Sequence, residues 1–390
     1  MSTHALKNVV WNYPTHIRFG AGSIKNISRI CKKLGISKPL VVTDQGLADA
    51  TFVQEVCHLV HDAGLSSALY SRIKGNPIGE NVDEGVAVFK RGAHDGVIAV
   101  GGGSALDASK IIALMAKQSE TLWDFGGKAD DWSGIHRSQV APLIAIPTTA
   151  GTGSEVGRAA VITDERHHVK KIISHAALMP LAVILDPELT CKLPPHLTAA
   201  TGLDAFVHCF EAFCVPAYHP MADGIALEGI HLVSRSLPQA YAHGDDLPAR
   251  GDMLVAASLG AMAFQKGLGG VHALAHGIGA LFDTHHGLTN AVLLPYVMKA
   301  TKPAIEEQMG RVAEALAIPD ISFQGVLDWV LATRRALGLA HTLSEIGVPS
   351  DRCSDISALA KADPCDATNP QELTQEDYIH IVQCALDGKL

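Results

Sequence analysis

The eight cysteines of this 390-residue sequence form no C-x-x-C pair, no five basic residues stand together, and no unbroken apolar run reaches membrane-spanning length. Scattered cysteines argue against a zinc knuckle or a disulfide framework. A net charge of −9 without a basic run argues against nucleic acid and against an anionic membrane surface as partners. The opening residues, M-S-T-H-A-L-K-N, lack the basic and apolar regions of a signal peptide, so a cytoplasmic location is expected.

What is present is apolar: 47% of residues are hydrophobic and only 18% are charged. A chain of this length exceeds one ordinary core and predicts two domains of roughly 200 residues each. Residues 9–20 read as extended edge structure, followed by a first helix capped by Ser23. From there short apolar strands (39–43, 68–70, 96–100, 142–146) alternate with helices (24–35, 50–63, 80–92, 105–117), and a hairpin (158–163, 169–174) and a last strand (181–185) follow. This predicts an α/β fold with a doubly wound, mostly parallel sheet over residues 1–187. After Asp186-Pro187 only helical periodicity remains, so residues 188–390 are expected to form an all-α domain. Its predicted helices are 196–214, 219–235, 246–265, 271–282, 288–299, 303–316, 323–344, 353–361 and 375–387. Thr374, with Asp377 three residues on, gives the last of them a capping box.

The most distinctive stretch is H-A-L-A-H-G-I-G-A-L-F-D-T-H-H-G-L-T-N at 272–290. His272 and His276 are four apart and share one helix face, whereas His286 lies past a predicted helix end where the glycines let the chain turn back. In T-G-L-D-A-F-V-H-C-F-E-A-F, Asp204 and His208 are also four apart, between Leu203, Phe206, Val207 and Phe210. That neighbourhood buries their face, where an unpaired charge costs several kcal/mol, so the two segments together read as a metal cage of one carboxylate and three imidazoles. Spacing alone is weak support. Asp164 and His168 have the same spacing but sit in T-D-E-R-H-H, a polar turn expected to be solvated. Cys209, beside His208, points away on a helix and reads as core.

In the first half, G-V-I-A-V-G-G-G-S-A-L-D-A-S-K passes from a buried strand through three glycines into a helix, a geometry that offers backbone N–H groups to a pyrophosphate. As a dinucleotide fingerprint it departs from pattern, because Leu106 stands where a third glycine is usual. Asp44 ends the strand L-V-V-T-D and suits an adenosine ribose, or else a helix cap. P-T-T-A-G-T-G-S-E at 147–155 follows another strand with hydroxyls and glycines. All three loops belong to the carboxyl edge of the sheet, where open α/β folds bind ligands.

Taken in order, G-G-G-S-A-L-D-A-S-K, P-T-T-A-G-T-G-S-E, T-G-L-D-A-F-V-H, H-A-L-A-H-G-I-G and H-H-G-L-T-N-A-V-L-L-P closely resemble the iron-containing (group III) alcohol dehydrogenase family over nearly the whole chain. The resemblance implies a dehydroquinate synthase-like fold with an N-terminal dinucleotide domain and a helical domain. It implies Asp204, His208, His272 and His286 as metal ligands, with His276 lining the nicotinamide site. It also implies that Asp44 meets the adenosine ribose and that Asn76 borders the cofactor. Gly102, Gly103 and Ser104 would cradle the pyrophosphate, and Thr148, Thr149, Thr152 and Lys170 would approach the diphosphate and inner ribose. The chain departs from many members at Gly277 and His285, where proline is usual. Both flank the substrate region, and His285 adds a fifth candidate for the cage.

The expected activity is NAD-linked, metal-dependent interconversion of small primary alcohols and aldehydes. Fe(II) is the expected metal, with Zn(II) also compatible with oxygen and imidazole donors, and His276 is the expected proton relay. A homodimer is the expected assembly. The alternatives are a lyase of the dehydroquinate synthase type, which should need several basic residues near the metal where only Lys266 lies close in sequence, and a dehydrogenase of a polyol or hydroxy acid. A non-catalytic metal-binding protein would leave the cofactor loops without purpose.

Overall fold

A computed structural model describes residues 15–125, 137–167 and 169–390. Its strands are β1 (His16–Phe19), β2 (Pro39–Asp44), β3 (Ala68–Ile73), β4 (Gly96–Gly101), β5 (Leu143–Pro147), β6 (Ala159–Asp164), β7 (Val169–Ser174) and β8 (Ala182–Leu185). Six of them form one parallel sheet in the order β1-β8-β5-β4-β2-β3, and β6 pairs with β7 as an antiparallel hairpin. The central strands are buried on both faces, which is why they read as unbroken apolar runs. Their alternation still sorts the side chains. Leu40, Val42, Val97, Ala99, Leu143 and Ala145 pack on one side of the sheet, and Val41, Ile98, Val100, Ile144 and Ile146 on the other.

Helices α1 (Ile27–Lys33) and α2 (Thr51–Asp62) contribute apolar residues to the second of these layers, and α3 (Gly79–Arg91) and α4 (Gly103–Met115) to the first. The chain runs from β2 outward to β3 and returns to β4 on the other side of β2, so a topological switch lies between the carboxyl ends of β2 and β4. Ser23 does not cap the first helix. It opens a 3-10 turn, Ser23–Asn26, and the N–H groups of Gly22, just before it, and of Ile24 donate to the buried Asp186 carboxylate at the end of β8, the strand beside β1. Residues 9–14 of the extended edge expected over 9–20 lie outside the described residues, and β1 forms within the remainder.

Beyond β8 the described residues are helical: α5 (Pro195–Cys214), α6 (Pro220–Ala242), α7 (Leu247–Ala263), α8 (Gly270–Phe282), α9 (His286–Ala300), α10 (Lys302–Ile305), α11 (Met309–Ala315), α12 (Phe323–Ala336), α13 (Cys353–Ala362) and α14 (Gln375–Asp387). Helix α6 outruns its expected end by continuing through Pro238. Helix α12 is shorter than expected because Gly338 takes a left-handed φ of 64° and Leu339 N–H closes onto Arg334 O, a Schellman ending. The Thr374 and Asp377 capping box forms as the spacing indicated. Nearly every residue of α5 is buried, against α6, α7 and α9. Among the described residues no single helix is long and apolar enough to cross a membrane.

Candidate metal and cofactor site

Asp204 and His208 lie one turn apart on α5, both buried, and face His272 on α8 and His286 at the start of α9. One ligand atom from each of the four lies within 4.8 Å of every other. Gly287 permits the approach of α9. A Cβ there would stand 2.5 Å from Ala200 O and 3.0 Å from Asp204 Cβ, so any larger residue would push His286 off α5. His286 Nε2 is 3.8 Å from Asp204 Oδ1, and the His208 and His272 rings are 4.5 Å apart. The Asn290 amide, one turn after His286, is 2.7 Å from Asp204 Oδ1 and 3.2 Å from Nε2 of both His272 and His286.

This donor set fits a divalent metal. It offers one carboxylate and imidazoles, and His208 Nδ1 is buried with no hydrogen-bond partner, a lone pair that a cation would satisfy. Burial holds His272 and His286 well below the ordinary imidazole pKa, in the neutral form that ligates. No thiolate joins the group. Cys209 is buried and turns Sγ toward Ala256 O, as a core residue.

Two carboxylates back the imidazoles. Glu211 on α5 accepts from Val271 N (2.8 Å) and lies 2.6 Å from His272 Nδ1. Burial lifts its pKa to about 7, although the N–H groups of α8 work against this. Asp363, just after α13, lies 2.9 Å from His276 Nδ1. Burial opposes its charge, but His276 and the Cys365 N–H hold its carboxyl below the ordinary value. The His276 ring stacks on that of His286 at 5.5 Å and an interplanar angle of 9°, so it stands beside the four-residue cluster without belonging to it.

The sheet edge completes the cleft. Gly101 has a φ of 148°, which favours glycine, and the chain then enters α4 with Gly102 as an N-cap that lacks a side-chain partner. A Cβ at Gly102 would stand 3.2 Å from Thr149 Oγ1, and one at Gly103 2.5 Å from Thr152 Cγ2, so the glycine loop lies directly on the 147–152 loop. Thr148 N–H donates to Gly101 O (3.0 Å), and Ser104 Oγ donates to Gly75 O. Asn76 accepts from Lys170 Nζ (2.9 Å) and donates to Asp283 Oδ1 (2.5 Å) at the end of α8. The loops at the sheet edge therefore touch the end of the helix that carries His272 and His276. Asp44 Oδ1 caps a 3-10 turn at Leu47 N, while Oδ2 faces Gly101. Burial raises the Asp44 carboxyl despite N–H groups from Gly46 and Leu47. Lys170, half-buried with its Nζ against Gly279, is lowered to about 8 by desolvation, although Asp283 and other carboxylates oppose that shift.

Some expectations change. Asp283, with a φ of 53°, makes the turn between α8 and α9, and the glycines serve close packing instead. His285 caps α9 through Nδ1 and stays outside the four-residue cluster. Asp164 is buried rather than solvated and pairs with Lys171 (2.9 Å) and His167 (2.7 Å). His168, which shares with it the four-residue spacing, lies outside the described residues. Lys266 bonds Asp223 and Phe213 O, which removes it as a candidate for a phosphate pocket. Glu211, Asn290 and Asp363 were missed. Glu211 is three residues after His208 and Asn290 four after His286, each on a ligand's own helix face, and that spacing could have found them.

The family model described as iron-containing alcohol dehydrogenase matches residues 14–187, and that described as the Fe-containing alcohol dehydrogenase family, C-terminal, matches residues 198–386. The chain is 38% identical to a 4-hydroxybutyrate dehydrogenase of Cupriavidus necator, covering 95% of this chain and 98% of the relative. It is 35% identical to an NAD-dependent methanol dehydrogenase of Bacillus methanolicus, covering 94% and 97%. Among solved structures it superposes on a 1,3-propanediol oxidoreductase with a TM-score of 0.92 at 33% identity, covering 97% of this chain and 100% of the other.

Proposed function

The chain belongs to the iron-containing alcohol dehydrogenase family, and from that premise we propose that it interconverts small primary alcohols and aldehydes with NAD, using Fe(II) or Zn(II) held by Asp204, His208, His272 and His286. The observation that carries this reading is a convergence. The buried four-residue cluster, His276 and the Lys170 and Asn76 pair all meet along α8. When bound, the metal supplies Lewis-acid polarisation of the substrate oxygen, and NAD accepts or returns the hydride.

The chain's own groups do the rest. Asp363 holds His276 by Nδ1, which leaves Nε2 to take or give the hydroxyl proton. The first N–H groups of α4, with Gly102, Gly103 and Ser104, face the cofactor pyrophosphate. Thr148, Thr149, Thr152, Asn76 and Lys170 position the inner ribose and diphosphate, and Asp44 receives the adenosine ribose hydroxyls. Apolar packing around α5 and α8 keeps the reacting region dry.

The test is absorbance at the reduced-nicotinamide band. Metal-loaded protein is mixed with NAD and short alcohols, or with NADH and short aldehydes. Formation or consumption of NADH in at least one pairing is expected, and no change across the panel with metal bound would overturn the reading. A phosphate-dependent lyase reaction is disfavoured by the engagement of Lys266 elsewhere.

A further inference from the structure

The proposed metal centre leaves one buried carboxylate unexplained. Glu211 is on α5, three residues after His208 and seven after Asp204, so it shares the face that carries both proposed ligands. Its side chain is only 6% exposed, and among the described residues its one ion-pair partner is His272. A carboxylate buried without a cation is costly. Its side-chain hydrogen bonds gather at the start of α8: Oε1 accepts from Val271 N at 2.8 Å, and Oε2 lies 2.6 Å from His272 Nδ1 and 3.4 Å from His272 N. Helix α8 has glycine as its N-cap with no side-chain cap bond, so Glu211 supplies the missing acceptor and a negative charge at the positive end of the helix dipole.

We propose that Glu211 is the positioning residue of the metal centre. By accepting Nδ1–H it fixes the His272 tautomer and turns the Nε2 lone pair toward Asp204, His286 and Asn290. The inference rests on the reading of those residues as a metal site. A hydrogen bond from one ring nitrogen decides which nitrogen can ligate, and a carboxylate acceptor makes that ligand more basic. The geometry agrees on the other side of the ring, where His272 Nε2 is 3.2 Å from the Asn290 amide, within the cluster. A cation at Nε2 would also be the counter-charge that Glu211 lacks, acting through the ring. The same carboxylate holds the ring and the backbone at Val271 and His272, so it sets where His272 stands as well as its tautomer.

The experiment compares the affinity for Zn(II), by competition with a chelating indicator, of wild type, Glu211→Gln, Asn369→Ala and Asp204→Ala. Asn369 Oδ1 accepts Gly270 N at 2.9 Å, so Asn369→Ala also uncaps α8 but leaves His272 Nδ1 alone. Glu211→Gln keeps the shape but has one acceptor oxygen where two are used. Affinity roughly 10- to 100-fold weaker in Glu211→Gln, with Asn369→Ala within about threefold of wild type, is expected. Glu211→Gln within about threefold of wild type would overturn the positioning role, as would equal weakening in Asn369→Ala, which would make it helix capping alone. Should Glu211→Gln not fold, ring 15N shifts of the Zn(II)-loaded wild type decide: Nδ1 of His272 protonated and Nε2 ligated supports the proposal, and the reverse overturns it. A wild type that takes up no Zn(II), or an Asp204→Ala protein that binds it as wild type does, sinks the metal-site reading itself, a result distinct from failure at Glu211 alone.

Discussion

On the strand side of the cleft, the groups proposed to meet NAD sit, apart from Lys170 on β7, at the end of β2 or on short connections after β3, β4 and β5, and offer mainly backbone N–H groups and hydroxyls. On the helical side, the proposed metal ligands are side chains of three packed helices, nearly all without access to water. The contrast follows from the ligands. A pyrophosphate is large, anionic and met by many weak donors, so glycine and the start of α4 suffice. A metal ion needs a few strong donors at fixed positions, and only rigid, tightly packed elements hold side chains so closely. Damage should therefore be abrupt on the helical side and graded on the strand side.

The largest effect expected is on the helical side. Asp204→Ala or His272→Ala should lose bound metal and, with it, more than roughly a thousandfold of turnover, because Lewis-acid polarisation is worth several kcal/mol. Metal analysis beside kcat decides, and His272→Ala with full metal and full turnover would end the comparison. His276→Ala should separate the two functions within one helix. It should keep its metal, lose turnover by roughly a hundredfold and change the pH profile of the rate. Metal loss equal to that of His272→Ala would make it a ligand instead.

Cofactor choice tests the strand side at its most specific point. Asp44 uses Oδ1 to cap its own turn and turns Oδ2 toward Gly101, so a cap and a ribose reader are not exclusive. A phosphate dianion against that carboxylate would cost on the order of a few kcal/mol, which gives NAD roughly a hundredfold preference over NADP. In Asp44→Gly the ratio of kcat/KM values should collapse towards unity, mainly through better use of NADP. An unchanged ratio would leave Asp44 as a cap only.

What could be read from sequence was whatever has a local period. Strand alternation, the four-residue spacing of Asp204 and His208, and the Thr374 box all place partners within one element, where geometry is fixed. Asp363 meets His276 across 87 positions, and Asp186 holds the first turn across more than 160, so no window contains both partners. Glu211 was hidden for another reason. It sits in E-A-F at the end of an apolar run, where an acid reads as the polar edge of a helix, and only the arrival of α8 makes that edge an interior. The turn at Asp283 was assigned to glycines because glycine is the usual left-handed residue, whereas the hydrogen bond to Asn76 occupies the Asp283 side chain there.

The smallest expected effect falls where the two sides meet. Lys170 comes from β7, bonds Asn76 and abuts Gly279 of α8, and burial lowers its pKa to about 8. If its charge helps hold the cofactor diphosphate, affinity for NAD should be steady below about pH 7 and weaken as the ammonium is lost. That predicts a KM for NAD up to roughly tenfold higher at pH 9 than at pH 7, with a flatter profile in Lys170→Met. Stability moves the other way. A lysine whose folded pKa is depressed binds fewer protons folded than unfolded, so its burial penalty is fully present below about pH 8 and fades between there and the ordinary lysine value. Wild type should therefore gain thermal stability relative to Lys170→Met over the same range in which it loses affinity for NAD. Lys110, also lowered to about 8 by burial, titrates in that range in both proteins and cancels in the difference. A KM for NAD and a relative melting temperature that rise together with pH, affinity falling as stability grows, are what a charge serving the cofactor at a cost to the fold should give. A KM for NAD that is flat with pH in both proteins, with the stability slope intact, would make Lys170 a strut between β7 and α8 and nothing more.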